Sequence, residues 1–325
     1  VQFYNERKEN CMRKGFILSA LIMLLTAGMA LAQNDSHFSL FEYSQNLYNP
    51  GASGANNAMC ITSMHRQQWV GFEGGHPQTT IFSFDMPIKD FLGLGAVIMQ
   101  ESIGYQNDVS FMVNASYRHE FEFGTLGAGV GLGLLNRSID GDWRTPTSLG
   151  GSAVYNDPSI PHMDSKATFD MHIGATLYGK NYWAGLSVSH LTRPHINFNG
   201  VQNPTYISQH YYLVGGYNLT LPNPSSDLLF SAMAVYASTF EFQINAKYLY
   251  EKKFWAGLSY RYSDAIVPML GIHLPFGLSI GYSYDIPIGG NTYKYNTGSH
   301  EIMLRYCFNV SKNNNLGRYR SVRRL

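Results

Sequence analysis

The sequence predicts an all-β protein, a transmembrane antiparallel β-barrel of about 14 strands. The prediction rests on a two-residue period of apolar side chains, on composition, and on the lack of an apolar helix after residue 32. The run TLGAGVGLGLL, residues 125–135, shows the period most clearly. Successive side chains of a strand point to opposite faces, so this run has one apolar face and one nearly bare face. Because the chain repeats such patterns to its end, a closed barrel in a membrane is favoured.

Composition supports a membrane barrel over a soluble enzyme. Charged residues make up 14% of the chain, against about 25% in ordinary globular domains. Tyrosine occurs 23 times and phenylalanine 19 times, and many lie near strand ends, as in interfacial girdles. The strands of a soluble double jelly roll would also alternate apolar and polar residues, but a soluble protein has no membrane interface that calls for aromatic girdles. A net charge of +1 gives no attraction for nucleic acid.

The first 32 residues have the order of a secretory signal peptide. Met12 is followed by two basic residues, an apolar run and the small-residue pattern Ala30-Leu31-Ala32. Residues 1–11 resemble upstream translation. The alternative is an N-terminal transmembrane helix, but the polar sequence QNDSH follows directly. We therefore expect export and an outer-membrane location.

The rest of the chain divides into three parts. We expect a periplasmic N-terminal segment at 33–57, the outer-membrane barrel at 58–309 and a basic C-terminal tail at 310–325. The predicted strands span approximately 58–69, 77–87, 92–102, 108–121, 124–138, 166–179, 181–191, 208–221, 226–236, 239–250, 253–263, 265–275, 277–287 and 299–309. The longest connection, 139–165, follows an odd-numbered strand. Bacterial barrels have short periplasmic turns and long external loops, so this loop is expected outside the cell.

The predicted inward positions carry charges of both signs. They are Arg66, Asp85, Glu101, Arg118, Glu120, Arg137, Asp170, Glu241, Lys247, Arg261, Asp285, Glu301 and Arg305. The constriction of a selective pore is expected to be lined mainly by charges of one sign. Buried charges are costly unless they are paired with charges of the opposite sign. The balanced set favours a filled interior over a diffusion pore.

The two cysteines after the signal peptide occupy opposite ends of the predicted barrel sequence. Cys60 lies near the start of the first strand and Cys307 near the end of the last. These strands pair if the barrel closes, so we expect the two residues to be close. A disulfide and two free buried cysteines both remain open.

The sequence shows no catalytic, cofactor or metal site. Ser187, Ser189 and His190 lie on one predicted strand, where adjacent side chains point to opposite faces. Asp157, His162 and Asp164 could bind a cation, although a solvated polar loop is the simpler interpretation. We predict that the protein is not an enzyme.

Several segments follow one another along the chain in a recognisable order. One is FSLFEYSQNLYNPGASG, with Asn49 and Pro50; others include WAGLSVSHL, FWAGLSYRYSDAI and TGSHEIMLRY. The most recognisable is HRQQWVGFEGGHPQTTIFSFDMPI, residues 65–88, with the signature residues Arg66, Gln67, Gln68, Trp69, Gly71 and Phe72. In this order the segments resemble the PorP/SprF family of the type IX secretion and gliding motility machinery of Bacteroidetes.

The resemblance implies a non-enzymatic barrel that docks periplasmic ring components or cargo at the outer membrane. The implied partners are PorK-like and PorN-like ring proteins, a PorE-like peptidoglycan-binding lipoprotein, and cargo with C-terminal sorting domains. A small-solute porin or transporter is the alternative. The tail contains five basic residues and no acid, which suits either partner docking or a solubilising end. They are Lys312, Arg318, Arg320, Arg323 and Arg324.

Overall fold

The structure is a computed structural model that describes residues 35–72, 75–140, 163–198, 205–289 and 297–308. Fourteen of its strands form one closed antiparallel barrel, which confirms the predicted fold class. The barrel strands are β1 (Met59–Gln67), β2 (Gln78–Lys89), β3 (Leu92–Ile103), β4 (Gln106–Phe121), β5 (Gly124–Ile139), β6 (Asp164–Tyr178), β7 (Tyr182–Ser189), β10 (His210–Thr220), β11 (Ser226–Tyr236), β12 (Phe240–Tyr250), β13 (Phe254–Arg261), β14 (Ala265–His273), β15 (Leu278–Pro287) and β16 (Ser299–Phe308). Two further short strands, β8 (His195–Ile196) and β9 (Thr205–Tyr206), form a separate pair that the sequence analysis did not predict.

Closure of the barrel follows from pairing of the first strand with the last. β1 is hydrogen-bonded to β2 on one side and to β16 on the other, both antiparallel. Closure satisfies the backbone groups that an open sheet edge would expose to lipid. Among the described residues no helix is long and apolar enough to span a membrane.

The outer face of the barrel is apolar. Large aliphatic and aromatic side chains on eight strands are 46% to 63% exposed: Phe82, Phe111, Leu134, Leu186, Leu213, Leu258, Leu270 and Ile302. In β13 the neighbouring positions Trp255, Ser259 and Arg261 are buried on the inner face. An apolar belt of this extent is stable when lipid covers it.

The two ends of the barrel differ in their connections. The end at which β1 begins and β16 ends has short connections, such as 90–91 and 122–123, and is called the turn end. The opposite end is called the loop end and carries the longest connections, 140–163 and 190–209. Residues 141–162, and with them most of the predicted external loop, lie outside the described residues.

The segment before β1 lies inside the barrel, so the expectation of a periplasmic segment at 33–57 is wrong for residues 35–57. It contains 3₁₀ turns at Phe41–Ser44 and Pro50–Ala52 and one α-helical turn at Gln45–Tyr48. Its apolar side chains Phe38, Leu40 and Phe41 are at most 1% exposed. Burial of these side chains favours the lumen over water, and the polar barrel wall supplies hydrogen-bond partners for the irregular backbone. Sequence periodicity could not reveal this placement, because the segment itself has no strand period.

Candidate functional site in the barrel lumen

The nearly bare face of β5 makes room for the N-terminal segment. A Cβ atom on Gly129 would lie 2.5 Å from the carbonyl carbon of Pro50. A Cβ atom on Gly127 would collide with the carbonyl oxygen of Gly51. The glycines of this strand therefore allow the Asn49-Pro50-Gly51 turn to approach the wall at backbone distance.

Asn49 fastens that turn to two neighbouring strands. Its side-chain amide donates to the carbonyl oxygens of Ala175 in β6 at 3.0 Å and Leu186 in β7 at 3.2 Å. Its side-chain oxygen accepts from the amide of Gly51 at 2.9 Å. Asn49 is 1% exposed. The Asn-Pro-Gly turn that carries part of the family resemblance thus attaches the N-terminal segment to the barrel wall.

A buried charge cluster holds the middle of the segment. Arg66 is 1% exposed, and its guanidinium lies 2.5 Å from Asp285 Oδ2 and 3.1 Å from Glu301 Oε2. Arg261 adds a second guanidinium 2.8 Å from Asp285 Oδ2. Pairing offsets the cost of removing these charges from water.

The acids of this cluster also bind the segment backbone directly. Glu301 accepts hydrogen bonds from the amides of Ser39 and Leu40, both at 2.8 Å. Arg261 Nη2 donates to Ser39 Oγ at 2.7 Å. Hydrogen bonds to charged groups are stronger than neutral ones, so the paired charges attach residues 39–40 firmly to the wall.

At the loop end, histidines and acids converge on the start of the segment. His190 Nδ1 lies 2.6 Å from Asp170 Oδ2, and its Nε2 lies 3.0 Å from Asp35 Oδ1. His172 Nε2 lies 3.1 Å from the same Asp170 oxygen. The rings of His190 and His210 are 5.5 Å apart between centroids. This group is called the histidine cluster: Asp35, Asp170, His172, His190 and His210.

The electrostatics of the cluster are set by its carboxylates. Burial by itself lowers the pKa of His190, but the charges of Asp35 and Asp170 and their hydrogen bonds raise it to about 10. Desolvation acts to raise the pKa of Asp35, yet the charge of His190 and hydrogen bonds from His190 and Tyr212 hold it well below its usual range. His190 therefore links Asp35 of the segment to Asp170 of the wall through its two ring nitrogens.

The cluster lines a cavity of about 80 Å³. Leu135 and Ile207 are also in its lining, and they pack with Ile196 and Phe198 of the β8–β9 hairpin region. Arg137 and Asp108 form a further buried pair there, 2.6 Å apart. The hairpin thus lies against the loop-end part of the lumen.

Sequence periodicity alone did not bring these residues together, although signals for the cluster are present in the sequence. Asp170 is among the predicted inward positions, and His172, two positions further along the same strand, has the same parity. His190 was judged to point away from Ser189, but β7 ends at Ser189 and His190 has a positive φ of 54°. Its side chain therefore also enters the lumen, where it is 5% exposed.

The remaining signature residues form the end of β1 and the turn after it. Gln67 pairs with His76 at 3.0 Å, and the amide of Gln68 donates to the carbonyl of Pro77 at 2.9 Å. The rings of Trp69 and Phe72 are 6.4 Å apart at the loop end. Gly71 has φ +91°, a conformation that glycine adopts at little cost. These residues shape a turn, whereas Arg66 alone among the signature side chains belongs to the charge cluster.

The structure describes the predicted cysteine pair but not the basic tail. Cys60 and Cys307 are opposite each other in the β1–β16 ladder and are joined by a disulfide. Lys312, Arg318, Arg320, Arg323 and Arg324 lie outside the described residues.

The closed barrel, its apolar belt and its filled lumen define a β-barrel protein of the outer membrane. Residues 30–306 match the family described as type IX secretion system membrane protein PorP/SprF. The chain belongs to this family and is a membrane component of type IX secretion, as the resemblance implied.

Comparisons with other proteins are more distant. No curated protein sequence matches the chain significantly. Omp33 of Acinetobacter baumannii has a TM-score of 0.44 and 8% identity, with 78% of this chain and 100% of that chain covered. The Ralstonia pickettii toluene transporter TbuX has a TM-score of 0.46 and 12% identity, with 82% of this chain and 93% of that chain covered. The CymD monoaromatic hydrocarbon channel has a TM-score of 0.49 and 10% identity, with 86% of this chain and 94% of that chain covered. We assign no ligand or transport activity to this chain from likenesses at these identities.

Proposed function

We propose that the protein is a non-enzymatic docking scaffold, which holds periplasmic ring components or cargo of the secretion machinery at the outer membrane. The observation that carries the proposal is the filled lumen: residues 35–57 are attached to the wall by buried charges and backbone contacts. An interior occupied in this way serves the stability of the barrel. Its exposed ends are then the surfaces offered to partners.

We place the docking surface at the turn end, which we take to face the periplasm. The start of β1 and the end of β16 lie there, so the basic tail begins at this end. An open depression of about 690 Å³ beside the seam is lined by Lys252, Lys253 and Phe276, among others. Cationic and aromatic side chains together suit an acidic protein surface.

The partners follow from the family rather than from any contact in the structure. They are PorK-like and PorN-like ring proteins, a PorE-like lipoprotein and cargo with C-terminal sorting domains. Ring components and cargo can be distinguished by identifying which proteins co-purify with the barrel.

The experiment is a charge reversal at the turn end. The double variant Lys252→Glu/Lys253→Glu should lose co-purification of ring components or cargo. Lys166→Glu, on β6 at the loop end, is the matched control and should retain it. Insertion of each variant is checked by the heat-dependent electrophoretic migration of folded barrels. Unchanged co-purification by an inserted double variant would show that docking does not use this surface.

The rival function is a small-solute porin. Purified wild-type barrel in planar bilayers should show little steady conductance if the lumen is filled as described. A large, stable open-channel current would favour the porin over the scaffold.

A further inference from the structure

We propose that the lumen binds one divalent transition-metal ion, with Zn²⁺ as the fitting ion, through Asp170, His172 and His190. The proposal is independent of the docking function and concerns the loop end of the barrel. It rests on the arrangement of the donor atoms and of the groups that hold them.

The three donor atoms already converge. Asp170 Oδ2 lies 3.1 Å from His172 Nε2 and 2.6 Å from His190 Nδ1, and the three atoms lie within 4.8 Å of one another. Zinc binds histidine nitrogen and carboxylate oxygen at about 2.0–2.2 Å, so tetrahedral ligand atoms are about 3.3 Å apart. A small outward shift of His190 would admit the ion in place of the direct contact between His190 Nδ1 and Asp170 Oδ2.

The fold positions these donors on rigid elements. Asp170 and His172 are two positions apart on β6 and so share its inner face. His190 directly follows β7, the neighbouring strand. Two imidazoles and one carboxylate are a donor set used by zinc and by non-haem iron.

The groups behind the donors supply an independent observation. Histidine that binds a metal commonly donates its other ring N–H to a carboxylate, which fixes the tautomer and orientation of the ring. His190 Nε2 has this partner in Asp35, at 3.0 Å and 3.2 Å from its two oxygens. Tyr212 in turn donates to Asp35 Oδ2 at 2.8 Å. The second oxygen of Asp170 accepts from the amide of Met171 at 2.8 Å.

A second triad, Asp35, His190 and His210, is less suited to the ion. His210 Nε2 accepts a hydrogen bond from the amide of Asp35 at 3.0 Å. Its Nδ1 donates to the carbonyl of Ser208 at 3.0 Å. Both ring nitrogens of His210 are thus engaged with backbone groups, and we assign the ion to the Asp170 triad.

The site leaves room for a further ligand and connects two parts of the molecule. The adjoining cavity of about 80 Å³ can hold water, which needs about 10–15 Å³ of such space. Through His190 and Asp35 the ion would join the wall to the N-terminal segment. We therefore expect the bound ion to make the start of the segment more resistant to protease.

The test uses the full chain, purified in detergent, stripped with chelator and then titrated with Zn²⁺. The wild type should bind about one ion per chain, as a single zinc site requires. His172→Gln and Asp170→Asn should abolish this binding, and Asp35→Asn should weaken it about 10- to 100-fold. His210→Gln is the matched control and should retain wild-type affinity.

Three outcomes would overturn the proposal. They are failure of the wild type to bind Zn²⁺ tightly, equal binding by His172→Gln, and loss of binding in His210→Gln with retention in His172→Gln. The last would assign the ion to the second triad. If the variants do not fold, Co²⁺ titration of the wild type decides the question: a visible absorption band typical of low-symmetry nitrogen and oxygen ligation supports the site, and its absence contradicts it.

Discussion

Cys60 and Cys307 face each other across the β1–β16 ladder, with their Cα atoms 4.1 Å apart and their sulfur atoms bonded. The bond joins the first and last strands of the barrel close to the turn end. Arg305 Nη2 lies 3.5 Å from Cys60 Sγ. The seam of the barrel is thus closed covalently as well as by backbone hydrogen bonds.

The first prediction is that purified protein contains this disulfide, because exported proteins fold in an oxidising compartment. Non-reducing peptide mass spectrometry should find the two cysteine peptides linked. The Cys60→Ser/Cys307→Ser variant should insert but lose about 2–4 kcal/mol of stability against denaturant. Free thiols in the freshly purified wild type would contradict the prediction.

The second prediction concerns Gly129. In Gly129→Val the new side chain would overlap Pro50, and such overpacking costs about 1–3 kcal/mol. The variant should expose the N-terminal segment to protease more quickly than the wild type. Ala128→Val places the same side chain on the exposed face of the same strand and should leave the cleavage rate unchanged. Equal protection of both variants would show that β5 does not seat the segment.

The third prediction concerns Arg66. Arg66→Gln leaves Asp285 and Glu301 with less compensation in a buried site, and loss of one partner of a buried pair costs about 3–5 kcal/mol. Denaturant unfolding should show this loss, and the second substitution Glu301→Gln should recover part of it because the two sites are coupled. Arg193→Gln, at an exposed loop position, is the control. Additive losses in the double variant would argue against direct coupling.

The fourth prediction concerns orientation in the membrane. An epitope inserted near Ser152, within the long connection of the loop end, should be accessible to antibody on intact cells. An epitope near Asn223, between β10 and β11 at the turn end, should require permeabilisation of the outer membrane. The reverse pattern of labelling would mean that the turn end faces outward and would move the proposed docking surface to the cell exterior.

The fifth prediction concerns the basic tail. Deletion of residues 312–325 removes five basic residues and should leave the barrel inserted. It should weaken co-purification of ring components if the tail binds an acidic partner surface. Wild-type recovery of those components would indicate that the tail serves only as a solubilising end.

Some features were predictable because they depend on local chemistry. The two-residue period of β5 and β13 determines which side chains face lipid, since a strand alternates its faces wherever it lies. The same parity placed Arg66, Asp285 and Glu301 on the inner face and Cys60 near Cys307. Strand positions agree with the predicted spans to within a few residues, because turn residues interrupt the period at each end.

Other features depended on contacts between distant parts of the chain. Residues 35–57 lack a strand period, so only the closed barrel reveals that the Asn49 turn lies against glycines far along the sequence. Asp35, Asp170, His190 and His210 meet because barrel closure and the positive φ of His190 bring them to one end of the lumen. The sequence by itself determined the barrel and the orientation of its strands through local periodicity. Only the tertiary structure decided what fills the lumen and which polar groups converge there. Those contacts join segments that are far apart in the sequence, and no local pattern in one segment indicates its contact with the other.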